Sequence, residues 1–303
     1  MKKFSLEINN PPFQDSENRG STQHKLWIDF LLHSQKTLED DGILAYVTPA
    51  SFASPSSKVL KLMKEYSTKF ISFDSKKHFE EEGNNPGSTF AHYIIQFTKD
   101  KNEITKIIQN ECEYNINLNN FIYLPNDFSL HSCNIHEKVI FNNNEFLNVQ
   151  YDYVTCHNVN LKKMGVNSHV QKIQTNECHY PLFHTNNQIW YSSVRQNFAN
   201  LPKVMWSRSG YTKPFFDNGV FGGTDMCYYI LVNDEQEGIN MANNLNSKLF
   251  KYIFKTAKWS GFGNEIVFKS LPKLPNIYMN DNEMFNYFNI TENERNYINT
   301  ILK

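Results

Sequence analysis

With 303 residues, 40% of them hydrophobic, the chain can bury a sizeable core and is long enough for one or two domains. A formal net charge of −1 excludes a uniformly basic nucleic-acid coat but permits a local basic cleft, because what matters is where Lys and Arg sit. There is no apolar run of about 18 residues and no secretory leader after Met1-Lys2-Lys3, which argues against a membrane span and predicts a cytoplasmic protein.

Phe4, Leu6 and Ile8 alternate with Ser5 and Glu7, a period-two run that predicts a strand. Pro11 and Pro12 stop it, since neither can donate to a ladder. Asn10 is therefore held on a stiff turn at a strand's carboxyl end, the place where open α/β sheets bind ligands. Asn10 Oδ1 and the Pro11 carbonyl can aim two acceptors at one point, which suits an exocyclic amino group. Phe13 offers a flat face for the ring carrying that amine, a contact of about 1–3 kcal/mol per stacked base. Adenine N6 is the obvious candidate. Taken as a bare tetrapeptide, the motif is equally an ordinary strand-ending turn.

Gln14 to Gln23 is polar and aperiodic and reads as a loop over the site. Leu26, Trp27, Phe30, Leu31 and Leu38 then recur at helical spacing across His24 to Leu38. Ile43 to Val47 is a short continuous apolar run fit for a buried parallel strand, ended by Thr48-Pro49. Ser56-Ser57 can cap a helix from Lys58 to about Tyr66, with Val59, Leu60, Leu62 and Met63 inward. Phe70 to Phe73 and Ser88 to Thr98 read as strands, with a charged loop, Lys76 to Gly87, between them. Residues 106–148 are asparagine-rich and read as a linker with some helix near Ile135 to Phe141.

From residue 149 the composition shifts to short β-like runs. Gln188 to Tyr191, Lys203 to Trp206, Met226 to Val232 and Glu265 to Phe268 all look like strands. Arg195, Lys203, Arg208, Lys213, Lys255 and Lys258 lie in or beside their turns. Basic and aromatic residues on loops of a β scaffold can contact phosphates and base edges together; an unspecialised β domain is the competing reading. Gly261-Phe262-Gly263 follows a helix-like run, Leu245 to Lys258, instead of a strand, and is rejected as a dinucleotide-type turn. Five cysteines without a repeated spacing fit a reducing compartment. Cys133 near His131 and His136, Cys156 beside His157, and Cys178 beside His179 lack zinc-ligand spacing, so no metal is expected.

Asn10-Pro11-Pro12-Phe13, Leu26-Trp27-Ile28-Asp29-Phe30, the run from Asp41 to Phe52, and the order of elements between them carry a family resemblance. From Asn10 to about Lys99 the chain resembles the catalytic half of DNA adenine (N6) methyltransferases of restriction-modification type, in which the catalytic motif precedes a C-terminal recognition domain. The resemblance implies an α/β fold: residues 1–105 as the second half of a class I, Rossmann-like methyltransferase sheet whose last two strands pair antiparallel, and residues 149–303 as a β-rich target-recognition domain. Gly222-Gly223-Thr224-Asp225 and Ser270 to Pro275 fit that second part.

The implied activity is methyl transfer from S-adenosylmethionine to adenine N6 in double-stranded DNA, on a base swung out of the helix. Asn10, Pro11, Pro12 and Phe13 would form the amine site. Phe79 resembles the second aromatic of the base clamp and Phe30 an aromatic beside the adenosyl group, each with a core position as its competing reading. Arg195, Lys203, Arg208 and Lys213 would contact DNA. Glu7 and Asn9 depart from the family, which has apolar residues and Gly there, and a carboxylate in a central parallel strand is costly unless paired. The Gly-rich turn and acidic residue of the donor site have no counterpart before Asn10. The expectation is therefore a split or truncated enzyme completed by a partner polypeptide carrying the donor-binding half, with the strand from Phe4 to Ile8 as an open edge. The alternative is a non-catalytic DNA-binding or specificity subunit. A third, methylation of a protein glutamine, is disfavoured by the long C-terminal domain.

Overall fold

The computed structural model describes residues 3–13, 26–55, 57–74, 89–98, 104–152, 154–156, 169–185, 188–208, 213–259 and 265–303. The chain forms two compact units, Met1–Asn134 with Ala257–Gly263, and Ile135–Thr256 with Asn264–Lys303.

The first unit follows the predicted alternation. β1 (Phe4–Asn9) leads to α1 (Leu26–Thr37), β2 (Leu38–Pro49), a 3-10 turn (Ala50–Ala53), α2 (Lys58–Glu65), β3 (Ser67–Ser72) and β4 (Phe90–Gln96). β5 (Thr105–Gln109) and β6 (Cys112–Ile116) complete a six-stranded sheet of order β1-β2-β4-β3-β5-β6. β1 and β2 are parallel, and β4 runs antiparallel between β2 and β3. The two strands expected as an antiparallel pair are thus neighbours, with opposite directions.

Period-two patterning decides which side of the sheet is buried. Leu44, Tyr46 and Thr48 of β2 stand beside Ile95, Tyr93 and Ala91 of β4, all of them buried. α1 adds Trp27 and Leu31, and α2 adds Val59, Leu60, Leu62 and Met63, to the same core. Burying each such large side chain contributes about 1.5–3 kcal/mol. Ser57 caps α2, its hydroxyl accepting the Leu60 amide at 3.4 Å.

The β1–β2 register slips between Phe4↔Leu38 and Leu6↔Ile43. There Asp41 takes a φ of 64°, and a Cβ at Gly42 would lie 2.9 Å from the Glu39 carbonyl oxygen, so glycine is required at this bulge.

Of residues 106–148, expected as a linker, those up to Ile116 instead extend the sheet as β5 and β6. Asn110 and Glu111 both adopt positive φ, 51° and 63°, in the two-residue turn that joins β5 to β6. The Asp74 carboxylate clamps that turn, accepting the Asn110 and Glu111 amides at 2.7 and 2.8 Å. High asparagine content marked a tight turn here, not a tether. Residues 257–259 of the returning segment also join this core, through Trp259. Trp259 lies 4.6 Å from Phe73, which stacks on Phe52 at 6.0 Å, and its indole donates to the Leu124 carbonyl at 2.5 Å.

α3 (Leu130–His136) runs directly into a π-helical turn (Glu137–Phe141). In the second unit, β7 (Val170–Gln171), β8 (Tyr180–Thr185) and β9 (Gln188–Ser192) are followed by β10 (Pro202–Ser207), β11 (Phe215–Asn218), β12 (Gly222–Gly223) and β13 (Cys227–Leu231). They make two small sheets, β11-β10-β13 and β12-β8-β9-β7. Phe198 stacks on Tyr229 at 4.0 Å in the core beside them.

Beyond β13 the expected β-rich character ends. α4 (Glu235–Leu245), α5 (Lys248–Thr256), α6 (Glu265–Lys269), α7 (Asp281–Tyr287) and α8 (Glu292–Leu302) complete the unit. Glu265 to Phe268, expected as a strand, is the helix α6. α7 and α8 each begin with a capping box, at Asn280 and Thr291. No helix among the described residues is long and apolar enough to cross a membrane.

Candidate functional site

Asn10 follows β1 directly and is exposed, while Pro11 is buried, Pro12 exposed and Phe13 half-buried. The Asn10 carboxamide has no hydrogen-bond partner among the described residues. A stiff turn thus offers an amide to solvent from a position set by the β1–β2 ladder, whose last register pair is Asn9↔Tyr46. Phe13 packs against the first core and sits 6.2 Å from Phe90, with the rings tilted by 51°. Phe90 in turn pairs with Pro49, so two aromatic rings and the exposed carboxamide lie at one end of the sheet.

Behind Asn10 lies a polar network that explains the departures at Glu7 and Asn9. Glu7 Oε1 accepts hydroxyl protons from Ser34 of α1 at 2.6 Å and from Tyr46 of β2 at 2.8 Å. Thr37 Oγ1 donates to Glu7 Oε2 at 3.4 Å, and Asn9 Nδ2 donates to the Tyr46 hydroxyl at 3.4 Å. Burial pushes the Tyr46 phenol up to about 12, the Glu7 carboxylate adding to the rise and the Ser34 contact opposing it. Tyr46 therefore remains a donor at neutral pH, and Glu7 is a satisfied carboxylate. The signal for this network was present in the sequence: a phenol in an otherwise apolar buried strand must find a partner for its hydroxyl.

Phe30 is 38% exposed on α1, one turn before Ser34, whose hydroxyl also reaches the Phe30 carbonyl at 2.9 Å. Phe79 lies outside the described residues. Trp259, which sequence reasoning missed, enters the first core beside Phe73 only because the chain returns from the second unit.

Of the four residues expected to contact DNA, Arg195 and Lys213 are exposed and Arg208 is half-buried at the end of β10. Arg195 lines a cleft of about 580 Å³ with Gln150, Asp152, Asn197 and Tyr229, and its guanidinium lies 6.0 Å from the Tyr180 ring centre. Asp152 is fixed in that cleft by the Val154 and Thr155 amides and by Gln196.

Lys203 must be corrected. It is fully buried, and its ammonium donates to Asp217 Oδ2 at 2.6 Å and to the Ala199 and Leu201 carbonyls at 3.1 and 3.0 Å. All three donors are used, so Lys203 is a core ion pair and has nothing to offer a phosphate. Among the described residues no cluster of three or more His, Cys, Asp or Glu could hold a metal ion, and the five cysteines are free thiols.

No protein-family model matches the sequence, and no curated protein matches it either. Among solved structures, the M protein of the type I restriction enzyme EcoKI is 18% identical, with 35% of this chain and 25% of that chain covered and a TM-score of 0.27. The type IIL restriction-modification enzyme MmeI, solved with DNA, is 11% identical, with 88% and 45% covered and a TM-score of 0.41. A nuclease-deletion mutant of the type ISP restriction-modification enzyme LlaGI, solved with a DNA substrate mimic, is 10% identical, with 96% and 34% covered and a TM-score of 0.43. The chain therefore spans less than half the length of each of these proteins.

Proposed function

We propose that the chain is the base-binding and DNA-recognising part of an adenine-specific DNA methyltransferase of restriction-modification type. The observation that carries the proposal is the placement of Asn10-Pro11-Pro12-Phe13. An exposed carboxamide stands on a proline turn at the carboxyl end of β1, with Phe13 and Phe90 beside it. The strand order β1-β2-β4-β3, with β4 antiparallel between two neighbours, supports reading the first unit as part of a class I methyltransferase sheet.

In this reading Asn10 Oδ1 and the Pro11 carbonyl accept the N6 hydrogens of an everted adenine. Holding both hydrogens in plane with acceptors keeps the nitrogen lone pair from delocalising into the ring and leaves it directed at an electrophile. Phe13 stacks on the base, and Phe79, outside the described residues, is the proposed second aromatic of the clamp. The Glu7, Ser34 and Tyr46 network fixes the end of β1 from below, so the amide meets the base without reorganisation. Eversion costs a few kcal/mol of stacking, which contacts from the second unit, Arg195 and Lys213 among them, offset.

The described residues do not by themselves fit S-adenosylmethionine. Phe30 supplies one exposed aromatic face, and no described strand of the first sheet ends in a glycine turn that opens a helix. No transfer step is therefore derived from these residues, and the donor pocket is taken to lie outside them. The test is to incubate the purified chain with duplex DNA and methyl-labelled donor, alone and with the product of each adjacent reading frame, and to quantify N6-methyladenine after nuclease digestion. Label in a mixture, lost in Asn10→Ala, is the expected result. No label in any combination would overturn the enzyme reading and leave the non-catalytic specificity subunit.

A further inference from the structure

We propose that the exposed face of α5, carrying Lys248, Lys251 and Lys255, is a sequence-independent contact surface for the phosphate backbone of double-stranded DNA. The inference rests on the DNA-recognising reading above and assigns part of the contact to a helix, apart from Arg195 and Lys213 beside the small sheets.

In a chain of net charge −1, residues 248–273 hold six lysines and a single acidic residue, Glu265. Three of those lysines fall on α5 at i, i+3 and i+7, which sets them within about 60° of one another around the helix axis and along about 10 Å of its length. They are the only exposed residues of α5; every other residue from Leu249 to Thr256 is buried.

The stability of α5 does not account for this arrangement. Like charges three and four residues apart repel along a helix. Lys248 and Lys251 also stand in the first turn, at the positive end of the helix dipole, and that turn contains no acidic residue. The Asp281 carboxylate caps the helix by accepting the Lys248 amide at 2.9 Å. Lys248 Nζ donates to Asn299 Oδ1 of α8 at 3.2 Å, and Lys255 Nζ to the Ile301 carbonyl at 2.5 Å. Those neutral acceptors hold two of the ammonium groups in place beside α8. Among the described residues Lys248 and Lys251 form no ion pair.

Three point charges with no apolar or aromatic group between them select the occupant. A protein partner is held mainly by aromatic and arginine anchors, and this face of α5 offers neither. A membrane surface takes up a basic helix through its apolar face, which in α5 is already buried. A nucleic-acid backbone asks only for fixed positive charge at intervals. Phosphates follow one another at about 3.4 Å of axis per strand, so about 10 Å of helix spans about three of them. Lysine meets a phosphate as a point charge and reads no base edge in doing so.

The experiment measures binding of the full chain to fluorescent duplexes of several unrelated sequences over a range of salt concentrations. Lys248→Gln/Lys251→Gln/Lys255→Gln is expected to lower the slope of log K against log salt by about 2.7, and Lys251→Gln alone by about 0.9, equally on every duplex. The unfolding midpoint of Lys251→Gln is expected to stay in place, which separates a lost phosphate contact from a lost fold. An unchanged slope in both variants, with duplex binding by the wild-type chain intact, overturns the α5 surface and leaves the DNA-recognising reading standing. A loss confined to one duplex sequence overturns it in favour of base reading. Capture of the wild-type chain by phosphatidylserine vesicles, abolished in the triple variant while duplex binding is untouched, overturns it in favour of a membrane surface. No duplex binding by the wild-type chain overturns both the surface and the reading it rests on.

Discussion

Replacing Lys203 with Met removes one side of a buried ion pair and nothing else of comparable size. Both side chains are inaccessible, at 0% for Lys203 and 2% for Asp217. After the change Asp217 keeps only the Val220 and Phe221 amides, each at 3.2 Å, and the Ala199 and Leu201 carbonyls lose their shared donor. Breaking a buried pair from one side costs about 3–5 kcal/mol, a large share of the roughly 5–15 kcal/mol that holds a domain together. Lys203→Met/Asp217→Asn removes the orphaned charge while retaining an acceptor for the two amides, and should recover about 1–3 kcal/mol. Urea unfolding followed by tryptophan emission suits the measurement, because Trp206 is buried in the same strand. Binding of the folded variant to a labelled duplex should keep its salt dependence. The reasoning fails if Lys203→Met changes stability by less than about 0.5 kcal/mol while the slope of log K against log salt falls by about 0.9, the mark of a lost phosphate contact.

Four further outcomes are expected. His136 is fully enclosed and its imidazole is pushed down to about 3 by burial, while its ring contacts the Thr256 hydroxyl at 2.8 Å. The unfolded chain takes up this proton near the ordinary value of 6.5 and the folded chain resists it. Stability should thus be fully present above pH 6.5 and fall on acidification toward pH 3, by up to about 1.4 kcal/mol per pH unit; denaturant titrations at several pH values should show a shallower slope in His136→Gln. Glu7→Ala strips the acceptor from Ser34 and Tyr46 and should cost about 1–3 kcal/mol in thermal unfolding, whereas Glu7→Gln, which keeps an acceptor, should cost less than half as much. If Asn10 holds the reacting amine as proposed, Asn10→Ala should reduce methylation in the active mixture about 100-fold or more, with duplex affinity within about twofold of wild type. Arg195→Ala should lower the salt slope of duplex binding by about 0.9 without changing the unfolding midpoint.

The parts of the fold legible in the sequence are those set by local periodicity. β1 was marked by alternation and two prolines, α2 by its apolar stripe and Ser57 cap, and the central strand of β2 by a continuous apolar run. What was not legible depended on distant partners. Lys203 looks like a basic residue at a strand end until the fold sets Asp217 opposite it in the β10–β11 register. The apolar run in Glu265–Lys269 is too short for its period to be read, and it forms a helix. The hairpin at Asn110 was hidden by composition, because its clamp, Asp74, belongs to the end of an earlier strand. At the candidate site, the stiff turn of Asn10 to Phe13 after β1 was legible from local chemistry, while the Glu7, Ser34 and Tyr46 network behind it needed α1 folded onto the sheet.

The return of residues 257–259 to the first unit bears on how the protein is made. Because Trp259 packs on Phe73, a ribosome must synthesise residues 135–256, the greater part of the second unit, before the first can cover that ring. Completion of the first unit is therefore delayed until late in translation. An expression fragment ending at Asn134 would leave the Phe73 face open to other nascent chains.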